Sequence, residues 1–296
     1  MQQVDLFYRI FAIIFPVFSI VLIGYMYARY RRDTDMSSGN HINMDIFIPA
    51  LIFDTLSASN YALSDYLALT LGGAVVVLGS AFVAWPVARL FGYQWKTFVP
   101  PMMFNNSGNM GVPLIMLTFG SAALPAAVLL FAAENFLHFL LGQQMITQRW
   151  SIKVVFRNPM IMATILGITV SVLQVSIPEF IRLPIHMLGQ VSIPLLLFSL
   201  GVRMLTIDLK DWHIGAVGAV VCPLSGLIVA MLFLQVFSLP AEQVPILLLF
   251  SALPPAVLNF LVAESFNQEP QKVASIVLIA NFASIAVIPA VLWVIL

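Results

Sequence analysis

The residues best suited to binding a polar ligand lie at positions 104–113, which read FNNSGNMGVP inside an otherwise apolar run. The stretch holds three asparagines, two glycines and a proline, so amide donors and acceptors lie beside a weakened helix backbone. In a membrane, irregular backbone is stable only where protein or a wet cavity covers it. The pattern predicts an interrupted helix that binds ligand through Asn106 and Asn109. The alternative is a kinked helix whose asparagines only cross-link its neighbours.

A second stretch, ALPPAVLNF at residues 252–260, matches the first at a constant offset. Adding 146 to Asn109 gives Pro255, and adding 146 to Pro113 gives Asn259. Matched interrupted segments in two halves of a chain indicate a binding site near the middle of the membrane. We therefore predict that Asn259 joins Asn106 and Asn109 in binding substrate. The residues expected to keep the two helices interrupted are Gly108, Gly111, Pro113, Pro254 and Pro255.

Glu134 and His138 are the next candidates, because both fall in an apolar run and are four residues apart. That spacing places them on one face of a helix. Ionisable groups inside a membrane are costly and are often proton relays, so we expect this pair to couple transport to protons. The alternative, weighted equally, is a structural cross-link between helices with Glu134 uncharged.

Composition defines the class of protein that must position these residues. Of the 296 residues, 61% are hydrophobic and 9% are charged, and the mean hydropathy is +1.00. A soluble domain carries about 25% charged residues. The chain is therefore predicted to be an all-α membrane protein. Its formal net charge of zero suggests no nucleic-acid partner.

We predict ten membrane spans, each close to the length of about 20 residues that a bilayer requires. The interrupted stretches fall in spans four and nine. The predicted spans are 6–28, 43–60, 65–90, 97–119, 122–147, 158–177, 184–204, 212–237, 243–264 and 271–295.

Two five-span repeats account for this organisation. The segment FIPALIFDTL at 47–56 matches SIPLLLFSLG at 192–201 with an offset of 145. The first repeat is then residues 1–150 and the second is residues 151–296. Because five is odd, the repeats must have opposite topology, so broken helices four and nine are expected to cross.

The basic residues predict the orientation in the membrane. Eleven lie in odd-numbered loops and two, Arg9 and Arg182, on the other side. Basic loops remain in the cytoplasm, so both termini are expected on the outer side of the cell (inner) membrane. The eleven are Arg29, Arg31, Arg32, Arg89, Lys96, Arg149, Lys153, Arg157, Arg203, Lys210 and Lys272.

Enzyme signatures are absent from the sequence. The four histidines are dispersed without metal-ligand spacing, and no glycine-rich phosphate loop is present. We therefore expect no catalytic residues, metal or cofactor. Few cationic side chains are predicted inside the spans, so a bound anion would be held by amides and helix dipoles.

The motifs NSGNMGVPL at 106–114 and ALPPAVLNFLVA at 252–263 resemble the auxin efflux carrier family, which comprises the PIN-type plant carriers and their bacterial relatives. The resemblance covers nearly the whole chain in span count and order. It implies that Asn106 is the family's substrate-site asparagine and Pro113 its crossover proline. Asn259 stands where plant carriers have a second proline, so auxin itself is not implied. Bacterial relatives are associated with dicarboxylates such as malate or malonate.

The same resemblance implies how the protein would work. Spans one, two, six and seven would form a scaffold that makes a homodimer, and spans three to five and eight to ten a moving transport domain. The expected function is secondary transport of a small organic anion, carboxylate or auxin-like, by alternating access. The alternatives are a sodium-coupled carrier of the bile-acid type and a non-transporting membrane receptor or sensor.

Overall fold

The computed structural model describes residues 2–31, 33–58, 63–147, 157–204 and 211–296. The regular secondary structure of these ranges is helical, and the one β-type pairing in them is an isolated bridge between Asn105 and Pro255. Helices form because an apolar segment in lipid must satisfy its backbone hydrogen bonds internally. The prediction of an all-helical membrane protein is confirmed for this part of the chain.

The described part of the first half contains eight α-helices. They are α1 (Gln2–Tyr30), α2 (Ser37–Ile42), α3 (Ile48–Ser57), α4 (Leu67–Leu90), α5 (Trp95–Met103), α6 (Val112–Phe119), α7 (Leu124–Leu137) and α8 (Gln143–Thr147). Three wide, π-helical turns lie next to these helices, at Asn43–Phe47, Ser107–Gly111 and His138–Gly142.

The described part of the second half contains six α-helices. They are α9 (Pro159–Val172), α10 (Glu179–Arg203), α11 (Trp212–Val236), α12 (Val244–Ser251), α13 (Leu258–Ser265) and α14 (Pro270–Ile295).

Six continuous stretches of the described chain are long and apolar enough to cross a membrane. They are Leu6–Tyr30, Ser64–Leu90, Ser121–Ile146, Glu179–Arg203, Trp212–Val236 and Pro270–Ile295. A further apolar helix, α9, is shorter. The predicted spans four and nine are each divided into two short helices, as their glycines and prolines led us to expect.

Two predicted boundaries differ from the structure. The sixth span ends at Val172 rather than near 177, and the seventh begins at Glu179 rather than near 184. The prediction treated Arg182 as a loop residue and began the span at Pro184. In the structure α10 continues through Pro184, and Arg182 contacts Asp54 at 3.6 Å, which compensates its charge at the helix end.

The helices pack in two sets. The first helix set consists of α1, α3, α9 and α10, and the second consists of α4, α5, α7, α11 and α14. Within the first set α1 and α10 touch backbone to backbone, since a Cβ added at Gly201 would lie 1.9 Å from the carbonyl oxygen of Val21. Small residues allow such close contact between membrane helices.

The start of α5 is tied to the loop that precedes α14. The Thr97 hydroxyl donates to Glu269 Oε2 at 2.6 Å, and Lys272 Nζ donates to the other oxygen of the same carboxylate. Burial opposes ionisation of Glu269, but the hydrogen bonds from Lys272 and Thr97 outweigh it and lower the pKa of that carboxyl. This contact joins the start of α5 to the start of α14 within the second helix set.

Candidate functional site

The two interrupted segments meet and bind each other through their backbones. The N–H of Asn106 donates to the carbonyl of Pro254 at 2.6 Å, and the N–H of Ala256 donates to the carbonyl of Phe104 at 2.9 Å. These bonds flank the antiparallel bridge between Asn105 and Pro255. Each segment therefore satisfies backbone groups that the other leaves without a helical partner.

Two asparagines hold the crossing through their side-chain amides. Asn105 Nδ2 donates to the carbonyl of Phe250 at 2.8 Å, near the end of α12. Asn259 Nδ2 donates to Phe104 at 2.8 Å, just after the end of α5, and to Ala256 at 2.9 Å. The last carbonyls of a helix have no partner within it, so each asparagine stabilises the end of the opposite helix.

Asn106 connects the crossing to a third element, α14. Its Nδ2 donates to Asn281 Oδ1 at 2.9 Å, and Asn281 Nδ2 donates to the carbonyls of Pro255 at 2.9 Å and Val277 at 2.7 Å. Asn106 is only 2% exposed. A buried amide with these partners has one favoured orientation, so the position of Asn106 depends on Asn281.

A cavity of about 100 Å³ lies beside the crossing, between the two helix sets. On one side α10 contributes a single face with the helical spacing i, i+3, i+4 and i+7. The first π-helical turn and the helices that flank it contribute Asn40, Met44 and Ile48. On the other side α7 and its following turn contribute a second face with the same spacing. The two faces are Leu196, Ser199, Leu200 and Arg203, and Phe131, Glu134, Asn135 and His138.

The crossing itself forms the remaining wall of the cavity. Asn105, Asn106, Ser107, Gly108 and Asn109 line it from the first segment, and residues 256–258 line it from the second. Amide and hydroxyl groups thus face a small space surrounded by apolar side chains. Such a mixture of few polar groups and many apolar ones is typical of sites for small molecules.

Glu134 and His138 lie deep in the wall formed by α7, 3% and 4% exposed. The hydroxyl of Ser107 donates a short hydrogen bond to Glu134 Oε2. The ring of His138 stacks on Phe104, with 4.1 Å between ring centroids. Both residues therefore contact the first interrupted segment, which links any change in their charge to the geometry of the crossing.

A larger vestibule of about 620 Å³ adjoins the cavity. It is lined by the ends of α1, α10 and α13 and by the start of α14, all of which join predicted cytoplasmic loops. The residues that line both spaces are Asn40, Leu200, Arg203, Val257 and Leu261. The cavity therefore has an access route from the side that the basic residues assign to the cytoplasm.

Comparison with known families decides the class of this protein. A family model described as "membrane transport protein" matches residues 9–153 and 144–294, which is nearly the whole chain. The chain belongs to this auxin efflux carrier-type membrane transport family. No curated protein matches the sequence. As a member of the family it is a multi-pass membrane transporter and not an enzyme.

The structure of this membrane transport protein separates the predicted ligand residues. Asn106 and Asn109 line the cavity, whereas Asn259 is absent from the described lining of both spaces and donates to backbone carbonyls. Glu134 and His138 line the same cavity as Asn106. Of the three asparagines predicted to bind substrate, two thus line the cavity and the third lies at the crossing.

The residues predicted to interrupt the helices fall into two groups. Pro254 and Pro255 lie within the second interruption. The first interruption spans residues 104–106, and the other three predicted residues follow it. Gly108 and Gly111 lie in the π-helical turn that follows, and Pro113 in the first turn of α6. A Cβ on Gly108 would lie 2.6 Å from the Phe131 ring, so close packing explains this glycine better than chain breaking does.

Sequence reasoning missed several polar residues of the transporter's cavity. The missed residues are Asn40, Asn105, Ser107, Asn135, Ser199 and Arg203. On α10, Arg203 was assigned to a loop and Ser199 was given no role, although their helical spacing was available as a signal. Arg203 also corrects the expectation that an anion would meet only amides and helix dipoles.

Proposed function

We propose that this membrane transporter is a secondary carrier that moves a small organic anion through the cavity by alternating access. The observation that supports it most is the position of the cavity, with one helix set on one side and the crossing and α7 on the other. A ligand held there would contact both sets. Movement of the second set against the first would then expose the ligand to either side of the membrane.

Uptake by purified protein in proteoliposomes tests this proposal. Radiolabelled malate, malonate and indole-3-acetate serve as probes, and empty liposomes give the background. We expect saturable uptake of at least one carboxylate that unlabelled carboxylate competes away. Ligand binding without accumulation would instead identify a receptor or sensor and contradict transport.

Sodium coupling is the second candidate, and one observation favours it. The side-chain oxygens Oδ1 of Asn105 and Asn259 are buried at the crossing without a hydrogen-bond partner. Oxygen atoms of amides are suitable ligands for hard cations. Uptake that requires sodium and not potassium outside the vesicles would favour this candidate, and uptake that is equal in both salts would exclude it.

Glu134→Gln tests proton coupling. Glutamine can still accept the hydrogen bond from Ser107, but it cannot gain or lose a proton. We expect wild-type uptake to vary with pH and uptake by the variant to be nearly independent of pH. The measurement is initial uptake across a pH series. The matched control is Glu179→Gln, because Glu179 is exposed at the start of α10 and outside the described lining of both spaces. An unchanged pH profile would leave Glu134 with a structural role.

The orientation makes a separate prediction. The vestibule adjoins the loops that carry most of the basic residues, although Arg32, Arg149, Lys153 and Lys210 lie outside the described residues. We expect epitope tags at both termini to react with impermeant reagents in intact cells after outer-membrane permeabilisation. Tags that react only after lysis would reverse the orientation.

A further inference from the structure

Arg203 is the last residue of α10 and lies where the vestibule narrows into the cavity. Its side chain is partly buried and lines both spaces. It follows Ser199 by four residues on the same helix face, and the Ser199 hydroxyl donates to Asn40 Oδ1 at 2.6 Å. Arg203 therefore belongs to a polar strip that leads from the vestibule toward the crossing.

The charges around this neck are unevenly placed. Within the described lining of the inner cavity, Arg203 is the one lysine or arginine, and Glu134 lies on the opposite helix set. The vestibule adds Arg31, Asp35 and Glu264. Hydrogen bonds from the hydroxyl and backbone N–H of Ser37 lower the pKa of Asp35, so this rim carboxylate stays ionised.

Glu264 interacts electrostatically with Arg203 from the other side of the vestibule. Arg203 belongs to α10 in the first helix set, whereas α13, which carries Glu264, packs against α14 and α5 in the second. The two charged groups thus lie on opposite helix sets at the entrance of the cavity. An incoming anion would compete with Glu264 for the same guanidinium group.

We propose that Arg203 receives a carboxylate group of the substrate at this neck and so selects anions over neutral molecules. The proposal rests on the function proposed above and specifies how that site recognises charge. A guanidinium group matches a carboxylate with two parallel hydrogen bonds, which a lysine cannot reproduce. The amides of the crossing then bind the rest of the molecule.

Ligand binding to purified protein tests this role without requiring transport. Malonate, malate and indole-3-acetate are the anionic probes, and malonamide is a neutral analogue of malonate. Ligands that bind the folded protein raise its melting temperature. For each variant, the rise above its own ligand-free melting temperature is titrated, and the titration gives a half-saturating ligand concentration. For Arg203→Gln we expect this concentration to rise about 10-fold to 100-fold for the carboxylates. The half-saturating concentration for Arg203→Lys should lie between those for Arg203→Gln and the wild type.

Arg31→Gln is the matched control, because Arg31 lines the vestibule but not the inner cavity. It should change the half-saturating concentration less than about 3-fold, as expected for a rim charge. Malonamide should be insensitive to Arg203→Gln. If Arg203 had only a structural or topological role, Arg203→Gln would alter the ligand-free melting temperature or the membrane orientation. It would not weaken the binding of malonate more than that of malonamide.

The outcomes separate the two proposals. Carboxylate binding that survives Arg203→Gln unchanged would overturn the role of Arg203 and leave the carrier function intact. If none of the three carboxylates stabilises the wild type, the anion class itself is wrong, and both proposals fail together. Equal weakening by Arg31→Gln and Arg203→Gln would also overturn the specific role of the neck.

Discussion

Asn106→Ala should reduce carboxylate uptake by about 10-fold to 100-fold while the protein remains folded in the membrane, because the substrate would lose an amide of the cavity lining and a hydrogen bond to a charged group contributes about 1.5–3 kcal/mol. The substitution removes the amide that donates to Asn281 Oδ1 and opens a gap in the cavity wall. It leaves intact the backbone bond from Asn106 to Pro254. Initial uptake rates, normalised to the protein in each vesicle preparation, give the effect.

Asn135→Ala is the matched control for Asn106→Ala. Asn135 lines the same cavity, but its amide donates to Phe131 within its own helix at 3.0 Å. We expect it to change uptake by less than about 5-fold, since a hydrogen bond at a helix surface contributes about 1 kcal/mol or less. Normal uptake by Asn106→Ala would remove this residue from the substrate site.

Asn259→Ala separates binding from scaffolding. Because Asn259 donates to two backbone carbonyls at the crossing, its loss should lower both transport and the melting temperature. Asn106→Ala should affect transport more than the melting temperature. If Asn259→Ala impaired uptake with no change in melting temperature, Asn259 would bind ligand as the sequence suggested.

Gly201→Ala should have the largest effect on stability. The added Cβ would lie 1.9 Å from the Val21 carbonyl oxygen, and neither helix backbone can move aside without separating α1 from α10. We expect destabilisation at the upper end of the range of about 1–3 kcal/mol that overpacking causes. The readouts are the melting temperature and the yield of monodisperse protein in detergent.

The same substitution at Gly39 provides the control. There the nearest atom to an added Cβ is the flexible end of Met36 at 3.5 Å. Alanine also favours a helix over glycine by about 0.5–1 kcal/mol. Gly39→Ala should therefore be neutral or slightly stabilising, and an equal loss of stability in both variants would refute the importance of the α1–α10 contact.

The sequence predicted the broad class of the fold from composition and the interruptions from local backbone chemistry. Helix-weakening residues cluster near 104–113 and 252–260, whereas α10 continues through the isolated Pro184 and Pro194. The interruptions in these two stretches could therefore be located before any coordinates. Their internal arrangement could not, because Gly108 turned out to serve packing against Phe131. Asn259 shows the same limit, since only the tertiary contacts reveal that its amide donates to the Phe104 carbonyl.

Arg203 was assigned to a loop for a different reason. Hydropathy gives the ends of a span within several residues, but it does not give the direction in which a terminal side chain points. The helical spacing of Leu196, Ser199 and Arg203 indicated a shared face. Which helix would lie opposite that face depends on long-range packing, and one sequence contains no direct record of it.

The π-helical turns make the cavity sensitive to the length of the chain. Each of the three contributes to its lining, through Met44, through Ser107, Gly108 and Asn109, and through His138. Such a turn accommodates one residue more than an α-helical turn, so it can originate as a single-residue insertion that the helix absorbs. Deleting that residue would rotate everything beyond it by about 100° and swing its polar face toward lipid. A single-residue deletion in any of these three turns should therefore disturb the pocket more than a substitution at the same place.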